Sequence, residues 1–152
     1  DVATFTAHFE NGAVGTFSIS RIAPGHANSL AFDLFAETGA AKWDMDAPAE
    51  FSVIRNLRGD GYDGYNRVLV GPDHPYLKGG VPMDFPGVSF GVGDLFGFQA
   101  RAFLEQVAGI DGGLPQVASF ADGVRDLTII DAVIRSAEQN GATVELPPHH
   151  AS

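Results

Sequence analysis

The sequence predicts an α+β fold: an open, largely antiparallel β-sheet with helices packed on one face and an oligomer interface on the other. Three observations predict it. Alternating apolar and polar runs fill the first part of the chain, two helical periodicities follow, and short Gly/Asn turn signals join the strands. Strands first and helices after is the segregation expected of α+β, and no repeat of solenoid period interrupts it.

Val2 to Arg21 reads as a β-hairpin, with the runs VATFTAHF and VGTFSISR flanking Glu10-Asn11-Gly12-Ala13. Asn-Gly is a strong short turn signal. A two-residue Asn11-Gly12 loop predicts that Phe9 faces Val14, Ala7 faces Thr16 and Thr6 faces Phe17. Phe5, Ala7, Phe9 and Val14 would then share one face, and Phe17 and Ile19 the other, so both faces would be partly apolar. A sheet that carries helices on one side and apolar groups on both needs a second cover, which a second subunit would supply.

Ile22 to Ser29 reads as a loop. Leu30 to Asp44 reads as a second hairpin turning at Thr38-Gly39, and Phe51–Asn56 and Arg67–Val70 as further strands around the glycine-rich RGDGYDGYN. Gly71 to Gly93 carries prolines 72, 75, 82 and 86, and a segment so long and irregular reads as a functional loop. Asp94 is expected to cap a helix over Leu95–Val107, with Leu95, Phe98 and Ala102 on its inner stripe. Ser119, with Asp122 three residues on, predicts a capping box. The helix it opens carries Phe120, Val124, Leu127, Ile130, Ile134 and Ala137 at helical spacing, expected to form one buried stripe. Asn140-Gly141 supplies a left-handed exit, and Thr143–Leu146 alternates as a closing strand.

At 152 residues and 45% hydrophobic content, the chain is long enough for one domain with a real core. Without cysteine it has no disulfide, thiolate nucleophile or cysteine metal site. Nine basic against nineteen acidic residues give a net charge of −10, which disfavours nucleic acid and anionic membranes as partners. No apolar run is of spanning length and the N-terminus carries no signal pattern, so the expectation is a soluble, cytoplasmic protein. DVATFTAHF begins directly in a strand pattern, which is expected of a chain that starts inside a larger protein.

Candidate chemistry is sparse. His8 reads as a surface or interface histidine. Arg21, His26 and Asn28 gather at a strand end and in the loop after it; their side chains can hydrogen-bond a polyhydroxylated ligand or a phosphate, and a solvated turn is the alternative. Asp60 and Asp63 lack the alternating oxygens of a calcium loop and read as a turn. Gly91-Val92-Gly93 is a fragment of a phosphate-binding glycine pattern and reads as a helix entry. His149-His150 cannot form a closed metal site alone. No Ser-His-Asp, Cys-His or His-x-x-x-His arrangement stands out, so the residues themselves stop short of a catalytic set.

FENGAVGTFSISR, GHANSLAFDLFAETGAAKWD, FQARAFLEQVAG and SFADGVRDLTIIDAVIRSAEQNGATVEL, in that order, resemble the C-terminal half of the Gfo/Idh/MocA oxidoreductases. The resemblance implies that residues 1–146 are the substrate and oligomerisation domain, residues 147–152 a tail, and NAD or NADP the cofactor of an N-terminal Rossmann domain. It implies reversible hydride transfer at a secondary alcohol of a sugar, polyol or related compound, and self-association through the open sheet face. The family's dinucleotide glycines, its lysine and its proton-transfer residues would precede Asp1. No catalytic or cofactor-binding residue is therefore carried onto this chain, and no metal is implied. Substrate contact is implied for the loop after the first hairpin, at Arg21, His26 and Asn28, and for the irregular loop, at Met83, Asp84 and Phe90. The competing expectation is a stand-alone sugar-binding or dimerisation module; only the first predicts a β-α-β unit encoded upstream.

Overall fold

A computed structural model describes residues 1–26, 28–55, 64–78, 85 and 90–148. Among the described residues there are two helices and two open antiparallel sheets, an α+β architecture. The chain divides into two compact units, Asp1–Gly25 with Ala118–Ser152, and His26–Val117.

In the first unit, β1 (Val2–His8) pairs with β2 (Val14–Ser20). The register differs from the one a two-residue loop would set: Phe5 faces Phe17, Ala7 faces Gly15 and His8 faces Val14. The Phe9 carbonyl accepts from the Gly12 N–H at 2.9 Å and Phe9 N–H donates to the Ala13 carbonyl at 2.9 Å. Gly12 has φ +85°, and the Asn11 side-chain oxygen accepts from the Ala13 N–H at 3.0 Å. This is a three-residue loop in which a tight turn is followed by a left-handed glycine. One extra loop residue shifts the pairing by one and turns every side chain of β2 over relative to those of β1. Phe5 and Phe17 therefore stack at 4.8 Å beside Ala3, Ala7 and Ile19, while Thr4, Thr6, Thr16, Ser18 and Ser20 share the other side. The aromatic pair is concentrated on one face, while the other, mainly hydroxyl-bearing, still carries Val2 and Val14, so both faces are partly apolar.

α2 (Phe120–Glu138) also belongs to this unit. Its entry is as the sequence predicts: the Ser119 hydroxyl accepts from the Asp122 N–H at 3.2 Å, and the Asp122 carboxylate accepts from the Ser119 N–H at 2.7 Å. So is its exit, where Asn140 (φ 57°) and Gly141 (φ 83°) turn left-handed and the Gly141 N–H reaches the Ser136 carbonyl at 2.8 Å. The expected stripe is placed on the wrong side. Ala132 is buried, and Arg125, Thr128, Ile129, Val133 and Ser136 are half-buried around it. Phe120, Val124, Leu127, Ile130 and Ile134 are all exposed, Phe120 to 98% and Leu127 to 66%. Helical spacing identifies a face but not its cover. Residues 143–146 form no strand, because alternation makes a strand only where a ladder partner lies alongside.

The second unit holds a four-stranded meander, β3 (Ala31–Ala36), β4 (Gly39–Asp44), β5 (Glu50–Arg55) and β6 (Asn66–Leu69), in chain order. The β3–β4 turn is Glu37-Thr38, one residue earlier than expected, and Gly39 already pairs with Arg55. Glycine is required there because a Cβ at Gly39 would collide with the Ile54 carbonyl oxygen. Phe32, Leu34, Ala41, Trp43, Phe51, Val53 and Val68 share one face, and Asp33, Lys42, Asp44, Glu50, Ser52 and Arg67 the other, together with Phe35, Ile54 and Leu69. On the apolar face Trp43, Phe51 and Val53 are half-buried, whereas Phe32 and Leu34 remain open. On the charged face Glu50 accepts from Arg67 Nε at 2.7 Å; that bond, and then the Glu50 charge, raise the Arg67 pKa above its ordinary value. The pair is solvent-exposed and ties β5 to β6 only weakly.

α1 (Val92–Val107) starts three residues before the expected position, with Gly91 as N-cap. Asp94 does cap the helix, from inside its first turn, by accepting from the Gly91 N–H at 2.8 Å. Its inner stripe is the predicted one, with Ala102 buried and Leu95 and Phe98 half-buried.

Two glycine substitutions separate crowding from propensity. Gly39→Ala is expected to cost about 1–3 kcal/mol by pushing β5 from β4. Gly97→Ala, in open space within α1, is expected to stabilise by roughly 0.5–1 kcal/mol through helix propensity. Denaturant midpoints of the two variants measure both, and the signs should be opposite.

Candidate functional site

The first candidate segment leaves β2. Arg21 N–H donates to the Asp1 carbonyl at 2.9 Å, which closes the open end of the hairpin and leaves the Arg21 side chain exposed. Ser20 Oγ accepts from the Ile22 N–H at 3.2 Å, and Gly25 turns the chain with φ +85°. Beyond it, in the second unit, His26 and Asn28 are exposed, and the Leu30 carbonyl accepts from the Met45 N–H at 2.8 Å to start the meander. Arg21, a donor only, and His26 and Asn28, which can donate and accept, are thus all exposed rather than inside a core. Arg21 and the His26–Asn28 pair belong to different units.

The second candidate segment precedes α1. Met83 and Asp84 lie outside the described residues, as do Asp60, Asp63, His149 and His150. Phe90 is described, half-buried, and packs edge-on against Phe98 with ring centroids 5.4 Å apart. Upstream, residues 71–78 coil into successive turns closed by bonds from the His74 N–H to Gly71 and from the Leu77 N–H to His74. Leu77 is buried, Tyr76 meets Phe98 at 6.2 Å, and His74 lies over Tyr76 at 5.9 Å. An aromatic cluster of His74, Tyr76, Phe98 and Phe90 therefore anchors this segment to α1.

Arg101 completes the anchor. Its Nε donates to Glu105 at 2.7 Å, and its Nη1 donates to the carbonyls of Lys78 at 3.0 Å and Tyr76 at 3.4 Å. The guanidinium is suited to this role because its donors diverge in one plane, so one side chain can hold a carboxylate and two backbone oxygens. Sequence reading does not single out Arg101, although Arg-x-x-x-Glu at i, i+4 is a recognisable helical pair; the Tyr76 and Lys78 carbonyls carry no sequence signal. Beside it, Glu105 Oε2 is buried without a hydrogen-bond partner, against Gly112. It borders a cavity of about 300 Å³ between α1 and residues 109–116. None of Arg21, His26, Asn28 or Phe90 lines that cavity. No group of three His, Asp or Glu side chains suited to a metal occurs among the described residues.

Comparison with known proteins decides the family. Residues 1–146 match the model of the C-terminal alpha/beta domain of an oxidoreductase family, Gfo/Idh/MocA. The chain belongs to this family. It is 31% identical over 139 residues to levoglucosan dehydrogenase of Pseudarthrobacter phenanthrenivorans, covering 91% of this chain and 34% of that protein. Among solved structures it resembles an oxidoreductase domain protein from Kribbella flavida, with a TM-score of 0.77 at 26% identity, over 90% of this chain and 34% of that one. It also resembles levoglucosan dehydrogenase in complex with NADH and levoglucosan, with a TM-score of 0.76 at 29% identity, over 89% and 35%. The chain thus spans about one third of the relatives it matches. No helix among the described residues is long and apolar enough to cross a membrane.

Arg101→Met keeps the aliphatic stem and removes every donor. It is expected to cost about 1–3 kcal/mol by leaving Glu105 without its partner and freeing two carbonyls. Limited proteolysis should then cut within residues 71–78 faster than in the parent protein, with cleavage elsewhere unchanged.

Proposed function

We propose that this chain is the substrate-side and subunit-contact portion of an NAD(P)-dependent dehydrogenase acting on a secondary alcohol of a sugar, polyol or related compound. The observation that carries this reading is similarity along nine-tenths of the chain to levoglucosan dehydrogenase, whose structure is described with NADH and levoglucosan. Oxidation of such an alcohol sends a hydride to the nicotinamide and a proton to a base. On this reading NAD or NADP and the base are held by the remainder of the full-length protein, and residues 1–152 hold and orient the ligand.

Arg21, His26 and Asn28 offer the mixture of donors and acceptors that vicinal hydroxyls require. Met83, Asp84 and Phe90 would supply apolar contact to ring carbons and a carboxylate for paired hydroxyls. Phe90 is supported in this role by its fixed position against Phe98. The open apolar side of β3–β6, where Phe32 and Leu34 are exposed, is the surface we assign to self-association. A face with several large uncovered apolar groups favours such contacts.

The native polypeptide, detected by immunoblot with an antibody to this domain, should be larger than the chain by a dinucleotide-binding domain. A band at the size of the chain would sink the dehydrogenase reading in favour of a stand-alone sugar-binding or dimerisation module. In the longer protein, sugars and polyols should reduce NAD or NADP. There, His26→Ala and Asn28→Ala should raise KM by about two- to tenfold each, the worth of one or two hydrogen bonds, with kcat changing less; unchanged kinetics removes them from the site. Leu34→Asp should lower the oligomer mass measured by light scattering.

A further inference from the structure

Asn-Gly occurs twice in the chain, at Asn11-Gly12 and at Asn140-Gly141. In both pairs the glycine is left-handed, with φ +85° at Gly12 and +83° at Gly141. Both glycine N–H groups are held alike, by the Phe9 carbonyl at 2.9 Å and the Ser136 carbonyl at 2.8 Å. The asparagine side chains differ. The Asn11 carboxamide oxygen accepts from the Ala13 N–H at 3.0 Å. Asn140 is held through its backbone at the end of α2, with φ 57° and its N–H on the Ala137 carbonyl at 3.2 Å, and its carboxamide has no such partner among the described residues.

The Asn11 bond has a chemical consequence. The ring it closes contains both Asn11 Cγ and the Gly12 nitrogen, so it restricts rotation of the side chain about the atoms between them. An N–H on the carboxamide oxygen also stabilises the negative charge that collects there when a nucleophile adds to Cγ. Glycine has no side chain to block that approach.

We propose that Asn11 is a site of spontaneous modification, converting to isoaspartate and aspartate through a cyclic imide. The Gly12 nitrogen bonds to Asn11 Cγ and gives up its proton; the Cγ–Nδ2 bond breaks, and ammonia leaves with that proton. Water then opens the ring at either carbonyl and returns a proton to the nitrogen. One opening gives aspartate. The other leaves the main chain running through Cβ and Cγ, one carbon longer, as isoaspartate. Either product puts a new carboxylate beside Glu10 in a chain of net charge −10. The longer backbone matters more, because the loop between Phe9 and Ala13 sets the pairing of His8 with Val14. Isoaspartate at position 11 therefore releases the Phe9–Ala13 bond and frays the loop end of the hairpin. This inference is independent of the dehydrogenase reading, since it uses one loop alone.

The test is a time course of the native full-length protein in mildly alkaline ¹⁸O-labelled water, with each Asn-Gly peptide followed by mass spectrometry. Asn11 should convert about five- to tenfold faster than Asn140, the effect of one hydrogen bond to the reacting oxygen. The product should carry one solvent oxygen and include isoaspartate, resolved from aspartate by electron-transfer fragmentation. Amide exchange of the modified fraction should quicken at Phe9 and stay unchanged at Arg21, whose N–H closes the other end of the hairpin. Asn11→Gln, which lengthens the side chain beyond the five-membered ring, should stay intact throughout. Equal rates at the two asparagines, or a faster Asn140, overturn the inference. So do conversion of Asn11 only in denaturant and conversion to aspartate without isoaspartate.

Discussion

Burial of apolar surface is the constraint on which this structure turns, and it is met by small side chains. Ala49, Leu77, Ala102 and Ala132 are the buried apolar residues among those described, with Pro48 beside them; no polar residue there is buried as a whole, although the Glu105 Oε2 atom is. At about 25 cal/mol per Å² of apolar area removed from water, alanines contribute little each. The large groups that would contribute most, on α2 and on the first strand of the meander, lie open. Local order therefore leans on closed ladders, capped helix ends and the Arg101 anchor rather than on one thick core.

Turn chemistry sets the next level. A single additional residue in the Phe9–Ala13 loop decides which side of the first hairpin is apolar, and it brings Phe5 over Phe17. In the meander the close approach of β5 at Gly39 does similar work, fixing the pairing of β4 without a side chain. The first is settled by backbone geometry over a few residues, the second by the approach of a strand that follows later in the chain.

The candidate ligand contacts divide by how they are held. His26 and Asn28 sit on a turn with little packed around them, so adjustment on binding costs little there. Phe90, by contrast, is locked through Phe98 to α1, and α1 is tied through Arg101 to residues 71–78. The family assignment places these residues in the C-terminal alpha/beta domain of an oxidoreductase family.

Much of this was legible in the residues themselves, for local reasons. The order of strands and helices, the Ser119–Asp122 capping box, the Asn140-Gly141 exit and the inner stripe of α1 each follow from side chains within one or two turns of one another. The motif order likewise carried the family. Tertiary structure decided the rest: the hairpin register, the start of α1 at Gly91, the absence of a strand at 143–146, the Arg101 anchor and the side on which α2 is covered. For the last three the physical reason is common. Propensity and periodicity specify which groups share a face, but whether that face is paired, packed or left open depends on atoms distant in the chain, and for α2 those atoms are not among the neighbours its own unit provides.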